Sequence, residues 1–297
     1  KRLEKYILCA IFHLIDELLR TECTMETISG IGKESRARLS ELVRQTRGTV
    51  SVQQAAEILR LPADKTARLL AWWAKKGWLS RVRGGLYVFI PLEARSMDTV
   101  LEDPWVVADR LFSPCYIGGW SAAEYWELTE QIFRTIVVIT TRKPRNRRPV
   151  IKGTSFLVRS ISADKMFGTS AVWRGQAKVS VSNPSRTVLD MLSDPKLGGG
   201  LRPVADIFRQ YMTSKRKNTD LLIEYAGRME NGAVFKRLGF LSERFFPAEQ
   251  TLIAACRAGL TKGVVKLDPA LPAENMVTSW QLWVPSTWAG KDTAGDR

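Results

Sequence analysis

Histidine is nearly missing from this chain of 297 residues, where His13 stands alone. A single imidazole, with no CxxC pair to join it, nearly excludes a zinc site of ordinary spacing. It also leaves any Ser-His-Asp or Cys-His relay dependent on that one residue. Cysteine is scarce as well: Cys9, Cys23, Cys115 and Cys256 are scattered, and no CxxC pair occurs. That usage argues against a disulfide framework and fits a reducing cytoplasm. No apolar run approaches the length needed to cross a bilayer. The triple glycine Gly198 to Gly200 lacks both the Lys-Ser/Thr ending of a P-loop and the spacing of a dinucleotide fingerprint, and reads as a flexible connection. No Gly-Ser followed by paired aspartates signals a nucleotidyltransferase. Neither a cofactor nor a metal is expected, and the chain does not read as an enzyme.

Positive charge is what the chain has in excess. Lys and Arg number 45 against 30 Asp and Glu, a formal net charge of +15. Such an excess favours a polyanionic partner, either nucleic acid or an anionic membrane surface. It is concentrated between Gly30 and Ile90, where 12 basic and 4 acidic residues give +8 over 61 residues. A basic binding domain leaves that footprint. With 45% apolar residues there is also material for true cores.

The pattern divides the chain at 1–29, 30–95 and 96–297. Lys1 to Arg20 starts like a leader, but Asp16, Glu17 and Arg20 follow its apolar stretch and no small-residue cleavage site appears. It reads as a helix whose broad apolar arc needs a partner, in this chain or a second copy. His13 falls on its polar side. Helical periodicity covers Glu34 to Gln45, and Arg47-Gly48-Thr49-Val50 breaks it. Ser51 with Gln54 forms a capping box for a helix over Val52 to Arg60. After Leu61-Pro62 a third helix runs from Ala63 to Lys76, with Gly77 placed as its C-terminal cap. Trp78 to Val82 and Leu86 to Ile90 then form a hairpin around Arg83-Gly84-Gly85. Three helices and a glycine-tipped hairpin describe a winged helix-turn-helix. The residues beyond Glu93 to Pro104 mix types: helices at Pro104–Leu111, Trp120–Leu128 (capped by Ser121), Pro184–Leu192, Val204–Tyr211, Thr219–Met229 and Glu249–Ala258, with strands at Arg134–Thr140, Ser155–Ser160 and Gln176–Val181. The fold class is α+β, a winged helix followed by a larger mixed α/β domain.

Wound at about 100° per residue, the third helix sorts into two faces. Ala67, Leu70, Ala71, Trp73 and Ala74 form one, and Lys65, Arg68, Leu69, Trp72, Lys75 and Lys76 the other. A recognition helix presents its N-terminal residues to base edges. Asp64, Lys65, Thr66 and Arg68 are so placed, Arg68 toward guanine and Asp64 toward a cytosine amino group. Lys75 and Lys76 suit phosphate. Arg81, Arg83 and Gly84 extend the surface through the wing, and Ser51 and Gln53 offer amides at the preceding helix start. A basic face that merely keeps a small domain soluble is the alternative.

A second basic cluster, Arg142, Lys143, Arg145, Arg147 and Arg148, reads equally well as a nucleic-acid contact or as a solvated loop. Arg186 and Asp190, four apart, read as a surface ion pair of little energetic value. Trp105, Trp120, Trp126 and Trp173 read as core packing rather than base stacking. Cys115 lacks a histidine base and is a poor nucleophile.

Many short motifs occur in one order: Gly30-Ile31-Gly32-Lys33-Glu34-Ser35-Arg36, the winged helix, Asp103-Pro104-Trp105, Ala108-Asp109-Arg110-Leu111-Phe112, Tyr116-Ile117-Gly118-Gly119-Trp120-Ser121-Ala122, Leu128-Thr129-Glu130-Gln131, Phe167-Gly168, Asn183 to Asp190, Gly199-Gly200-Leu201 and Arg237 to Leu241. Together they resemble the AbiEi antitoxins of bacterial abortive-infection (type IV) toxin–antitoxin systems, from about Gly30 to Glu243. The resemblance implies a cytoplasmic protein whose winged helix represses its own operon at inverted repeats in promoter DNA, with two copies on the site. It also implies that the C-terminal domain counters a co-encoded nucleotidyltransferase-type toxin without a stable complex. The DNA-reading roles carry over to Lys65, Thr66, Arg68, Arg81 and Arg83. Two rivals stay open: a winged-helix transcription factor with a ligand-sensing or dimerisation domain, and a nucleic-acid-processing enzyme built on scattered carboxylates.

Overall fold

Polar caps and glycine set the limits of most elements. The computed structural model describes residues 32–46, 49–90, 103–151, 153–175 and 177–289, and the predicted helix over 1–29 lies outside them. Two compact units divide between Glu102 and Asp103. The chain mixes helix and sheet as expected.

The first unit runs α1 (Lys33–Gln45), β1 (Thr49–Ser51), α2 (Val52–Leu59), α3 (Ala63–Lys75), β2 (Leu79–Arg83) and β3 (Leu86–Phe89). That is the element order of a winged helix. Strand β1 lies where a break was expected. It is only three residues long and pairs antiparallel with β3, Thr49 opposite Val88 and Ser51 opposite Leu86. Pairing, not local pattern, makes it a strand. The Ser51 side chain accepts from the Gln54 amide, and the Gln54 side chain accepts in return from the Ser51 amide, so the capping box is formed. Helix α3 ends in a Schellman turn: Gly77 takes φ +79, its amide donates to Ala74 and the Trp78 amide to Trp73. Leu42, Val50, Ala55, Leu70, Trp73, Leu79 and Tyr87 fill the core, while Val43 is half exposed.

The second unit is built on a six-stranded mixed sheet: β4 (Cys115–Ile117), β5 (Thr135–Thr140), β6 (Val150–Ile151), β7 (Thr154–Ser160), β8 (Thr169–Arg174) and β9 (Ala177–Ser182), in the order β6-β7-β5-β4-β9-β8. The period-2 alternation of strands decides its two faces. Tyr116, Val137 and Ile139 join one large helical core, whereas Cys115, Ile117 and Val138 pack beside Val106 and Ala108 of α4 (Pro104–Phe112). Helix α5 is Gly119–Tyr125. Ser121 does not cap it: the hydroxyl is buried inside the helix and accepts from the Val137 amide at 3.0 Å.

The large core is closed by α6 (Pro184–Ser193), α7 (Leu201–Thr213), α8 (Thr219–Met229), α9 (Gly232–Phe245) and α10 (Gln250–Ala258). Three short strands, β10 (Val265–Lys266), β11 (Asn275–Val277) and β12 (Leu282–Val284), form a separate sheet. Helix α9 has no counterpart in the sequence reading. It is buried almost all round, so no amphipathic stripe betrays it. Arg237 donates to the carbonyls of Leu192, Ser193 and Lys266, and Gly239 admits Trp280, whose ring would stand 2.0 Å from an added Cβ. The triple glycine is not a loose connection. Gly198 closes a 3-10 turn, Gly199 and Gly200 take φ +84 and +103, and the first α7 amide, that of Leu201, donates to buried Asp268. A carboxylate of the chain itself occupies the position an outside phosphate would need.

Arg186 and Asp190 depart furthest from expectation. They lie in the core, not at the surface, joined at 2.9 Å, and Tyr116 donates its hydroxyl to the other Asp190 oxygen at 2.9 Å. Of the four tryptophans assigned to packing, Trp105 is buried and Trp120 and Trp126 half-buried, but Trp173 stands exposed on β8. Among the described residues no helix is long and apolar enough to cross a membrane.

Candidate nucleic-acid interface

The α2–α3 corner fixes the surface. Arg60 ends α2 in the left-handed region at φ 52, and Pro62 then opens α3. Thr66, Leu70 and Trp73, at spacings of four and three, form the buried stripe of α3. The opposite side exposes Asp64, Lys65, Arg68, Ala71, Trp72, Lys75 and Lys76. Ala71 thus belongs to the open face and not the packed one.

Thr66 corrects the sequence reading. It is fully buried, and its hydroxyl donates to the Pro62 carbonyl at 3.0 Å, so it anchors the corner and does not face a groove. Asp64 and Arg68 are both open to solvent, one turn apart, with a loose contact of 3.8 Å. A pair that exposed contributes little and opens readily for a partner. At the other end of the helix, Trp72 stands edge-on to Trp78 with centroids 5.4 Å apart, and the Lys76 ammonium sits 5.9 Å from the Trp72 ring. This packing steers Lys76, a detail that spacing alone does not reveal.

The wing is a bulged hairpin. Arg81 pairs with Tyr87 and Arg83 with Leu86, with a register shift between the two arginines. Arg81 is exposed, its guanidinium 3.9 Å from where a Cβ on Gly84 would lie. Gly85 turns the chain at φ +78, and its carbonyl accepts from the Val52 amide at 3.0 Å, tying the wing tip to the start of α2. That bond and the capping box consume the Ser51, Val52 and Gln54 amides. Ser51 is therefore spent on structure, and Gln53 is the exposed residue of this turn.

In the second unit Arg142, Lys143, Arg145, Arg147 and Arg148 are all exposed, between β5 and β6. They do not hang free. The Arg147 and Pro149 carbonyls accept from the Val158 and Phe156 amides, which lays the end of the loop along β7. Arg147 and Arg148 line a groove of about 780 Å³ with Arg159 and Lys196. The sequence reading missed the last two, which come from separate elements and share no local motif with the loop. Cys115 is buried, and burial first, then Asp109, pushes its thiol up to about 12, which disarms it as a nucleophile at neutral pH.

Helix order, the hairpin and the cationic open face of the first unit match the layout expected from the sequence. Residues 37–90 match the family of transcriptional regulators described as AbiEi antitoxins, which supports the resemblance to AbiEi-type antitoxins. No curated protein has a matching sequence.

Proposed function

We infer that the chain is an antitoxin of a type IV toxin–antitoxin system that binds its own promoter through α3 and the wing. It represses the operon at inverted repeats, two copies to the site, and counters a co-encoded nucleotidyltransferase-type toxin in the cytoplasm without forming a stable complex. The reading rests most on one observation: Lys65, Arg68, Lys75 and Lys76 lie together on the open side of a helix whose other side is packed. Arg81 and Gly84 continue that open surface, and Trp72 gives it an aromatic edge. The backbone at Arg83 lies at the bulge of the same wing. The basic loop of the second unit is a further nucleic-acid contact in this reading.

The experiment is a footprint of the full chain on the DNA upstream of its gene, together with a growth assay in cells that express the neighbouring nucleotidyltransferase. Protection of paired half-sites, lost in the Lys65→Ala, Arg68→Ala double variant, is expected, along with restored growth. A chain that protects no site, or one that protects the site and fails to restore growth, would contradict the DNA-binding part or the antitoxin part respectively.

A further inference from the structure

A guanidinium offers five N–H donors, and buried ones are almost always used. Arg186, 1% exposed, uses Nε on Asp190 and Nη2 on the Tyr116 hydroxyl at 3.1 Å, yet its Nη1 is buried without a hydrogen-bond partner among the described residues. Two rings also flank the cation, Phe167 at 4.3 Å and Tyr116 at 5.8 Å from the guanidinium carbon. The same side chain lines a small pocket of about 100 Å³ whose walls include Arg159, Lys165, Ser193 and Asn231, and also Asp190, whose two carboxylate oxygens are taken up by Arg186 and Tyr116. Three cations thus border a space large enough for a phosphoryl group.

Carboxylates hold two of these cations in reserve. Lys165 pairs with Glu230, and Arg159 with Asp194. Glu230 is 78% exposed, so its contact is the weak, water-screened kind that a better anion replaces. Arg186 cannot relax in this way, since its Nη1 meets no acceptor among the described residues. The pocket also shares two walls, Arg159 and Leu197, with the large groove lined by Arg147, Arg148, Lys196 and Trp120. A cationic channel with an aromatic wall is how proteins follow a single nucleic-acid strand without reading its sequence.

We propose that the second unit binds the phosphorylated end of a single-stranded nucleic acid, its terminal phosphate in the pocket at Arg186, Lys165 and Arg159 and its backbone along Arg147, Arg148 and Lys196. The inference rests on the basic loop of the second unit being a nucleic-acid contact and does not depend on promoter recognition by the first unit. A terminal phosphate could also arrive on a free nucleotide, and the size of the groove is what favours a strand.

The test measures binding of the full chain to a 5′-phosphorylated oligothymidylate and to a 5′-hydroxyl oligomer carrying the same number of phosphates, with ATP and inorganic phosphate as competitors. The phosphorylated strand is expected to bind at least about tenfold more tightly. Lys165→Ala should abolish that preference and leave the hydroxyl strand's affinity in place, whereas Arg147→Ala with Arg148→Ala should weaken both strands alike. Arg186→Gln should act as Lys165→Ala does; because it disturbs a buried pair, Lys165→Ala decides if that variant does not fold. Equal affinity for the two strands, or a preference that survives Lys165→Ala, overturns the proposal. Displacement of the phosphorylated strand by ATP or phosphate at the strand's own concentration overturns the strand and leaves the pocket to a free phosphate compound.

Discussion

Arg186 Nε lies 2.9 Å from Asp190 Oδ1 in surroundings that leave the two side chains 1% and 4% exposed. Burial is the leading cause that pushes both the Asp190 carboxyl and the Tyr116 phenol upward, against the favourable pull of the guanidinium. Desolvation of this kind cancels much of the attraction between buried charges, so the pair matters chiefly through what happens when one partner is removed.

Asp190→Ala leaves a buried guanidinium unneutralised. The loss in unfolding free energy is expected to be about 3–5 kcal/mol, read from the urea midpoint. Arg186→Met combined with Asp190→Leu removes both charges and should recover most of that loss. A double variant no more stable than the single one would show that the pair holds α6 in place by its charge and not merely by filling space.

Cys115 and Cys256 carry thiols that burial pushes up to about 12. The unfolded thiols titrate near 8.5, so between the two values the folded chain keeps protons that the unfolded chain gives up. The sign follows: stability from these groups is intact below about pH 8.5 and declines above it, by up to about 1.4 kcal/mol per pH unit for each thiol. Site-resolved alkylation at pH 8 should leave both cysteines unlabelled until denaturant is added. Labelling of either in the native chain at the rate of a free thiol would contradict this.

Thr66 separates anchoring from recognition. Thr66→Val keeps the buried shape and deletes the hydroxyl's bond to Pro62, which should cost about 1 kcal/mol in thermal or urea unfolding. DNA sequence preference should be unchanged. A shifted preference at one base pair, with stability intact, would return Thr66 to the reading surface that its place in the sequence first implied.

What the sequence disclosed depended on how local the signal was. The Ser51–Gln54 box, Gly77 after α3 and Asn183-Pro184 before α6 act within a few residues, and each element they bound lies within two residues of its expected limits. Strand β1 exists only through its partner β3. Helix α9 hides because Lys236, Arg237 and Ser242 are buried polar residues that interrupt an apolar face without turning it toward water. Its buried cations spend their donors on distant carbonyls, Lys236 on Gly263 and Arg237 on Leu192 and Lys266. The cationic face of α3 was legible because a single helix carries it. Arg159, Lys165 and Arg186 come from three elements, and no spacing rule unites them.

Arg68 and Lys76 stand at opposite ends of the open face of α3, and they should fail differently. Arg68, near the start of the helix, is placed for a base edge, so Arg68→Ala should cut discrimination at one base pair about tenfold to a hundredfold and spare binding to unrelated duplexes. Lys76 lies one residue past the end of the helix, leaning on Trp72, where a phosphate is the natural partner. Lys76→Ala should weaken specific and non-specific duplexes by the same factor and lower the slope of log affinity against log salt by about 1. Titrations of both variants across a range of salt concentrations distinguish the two roles. If Arg68→Ala flattened the salt slope and left every base pair's preference intact, α3 would be gripping the DNA backbone and reading no sequence, and specificity would have to come from the wing.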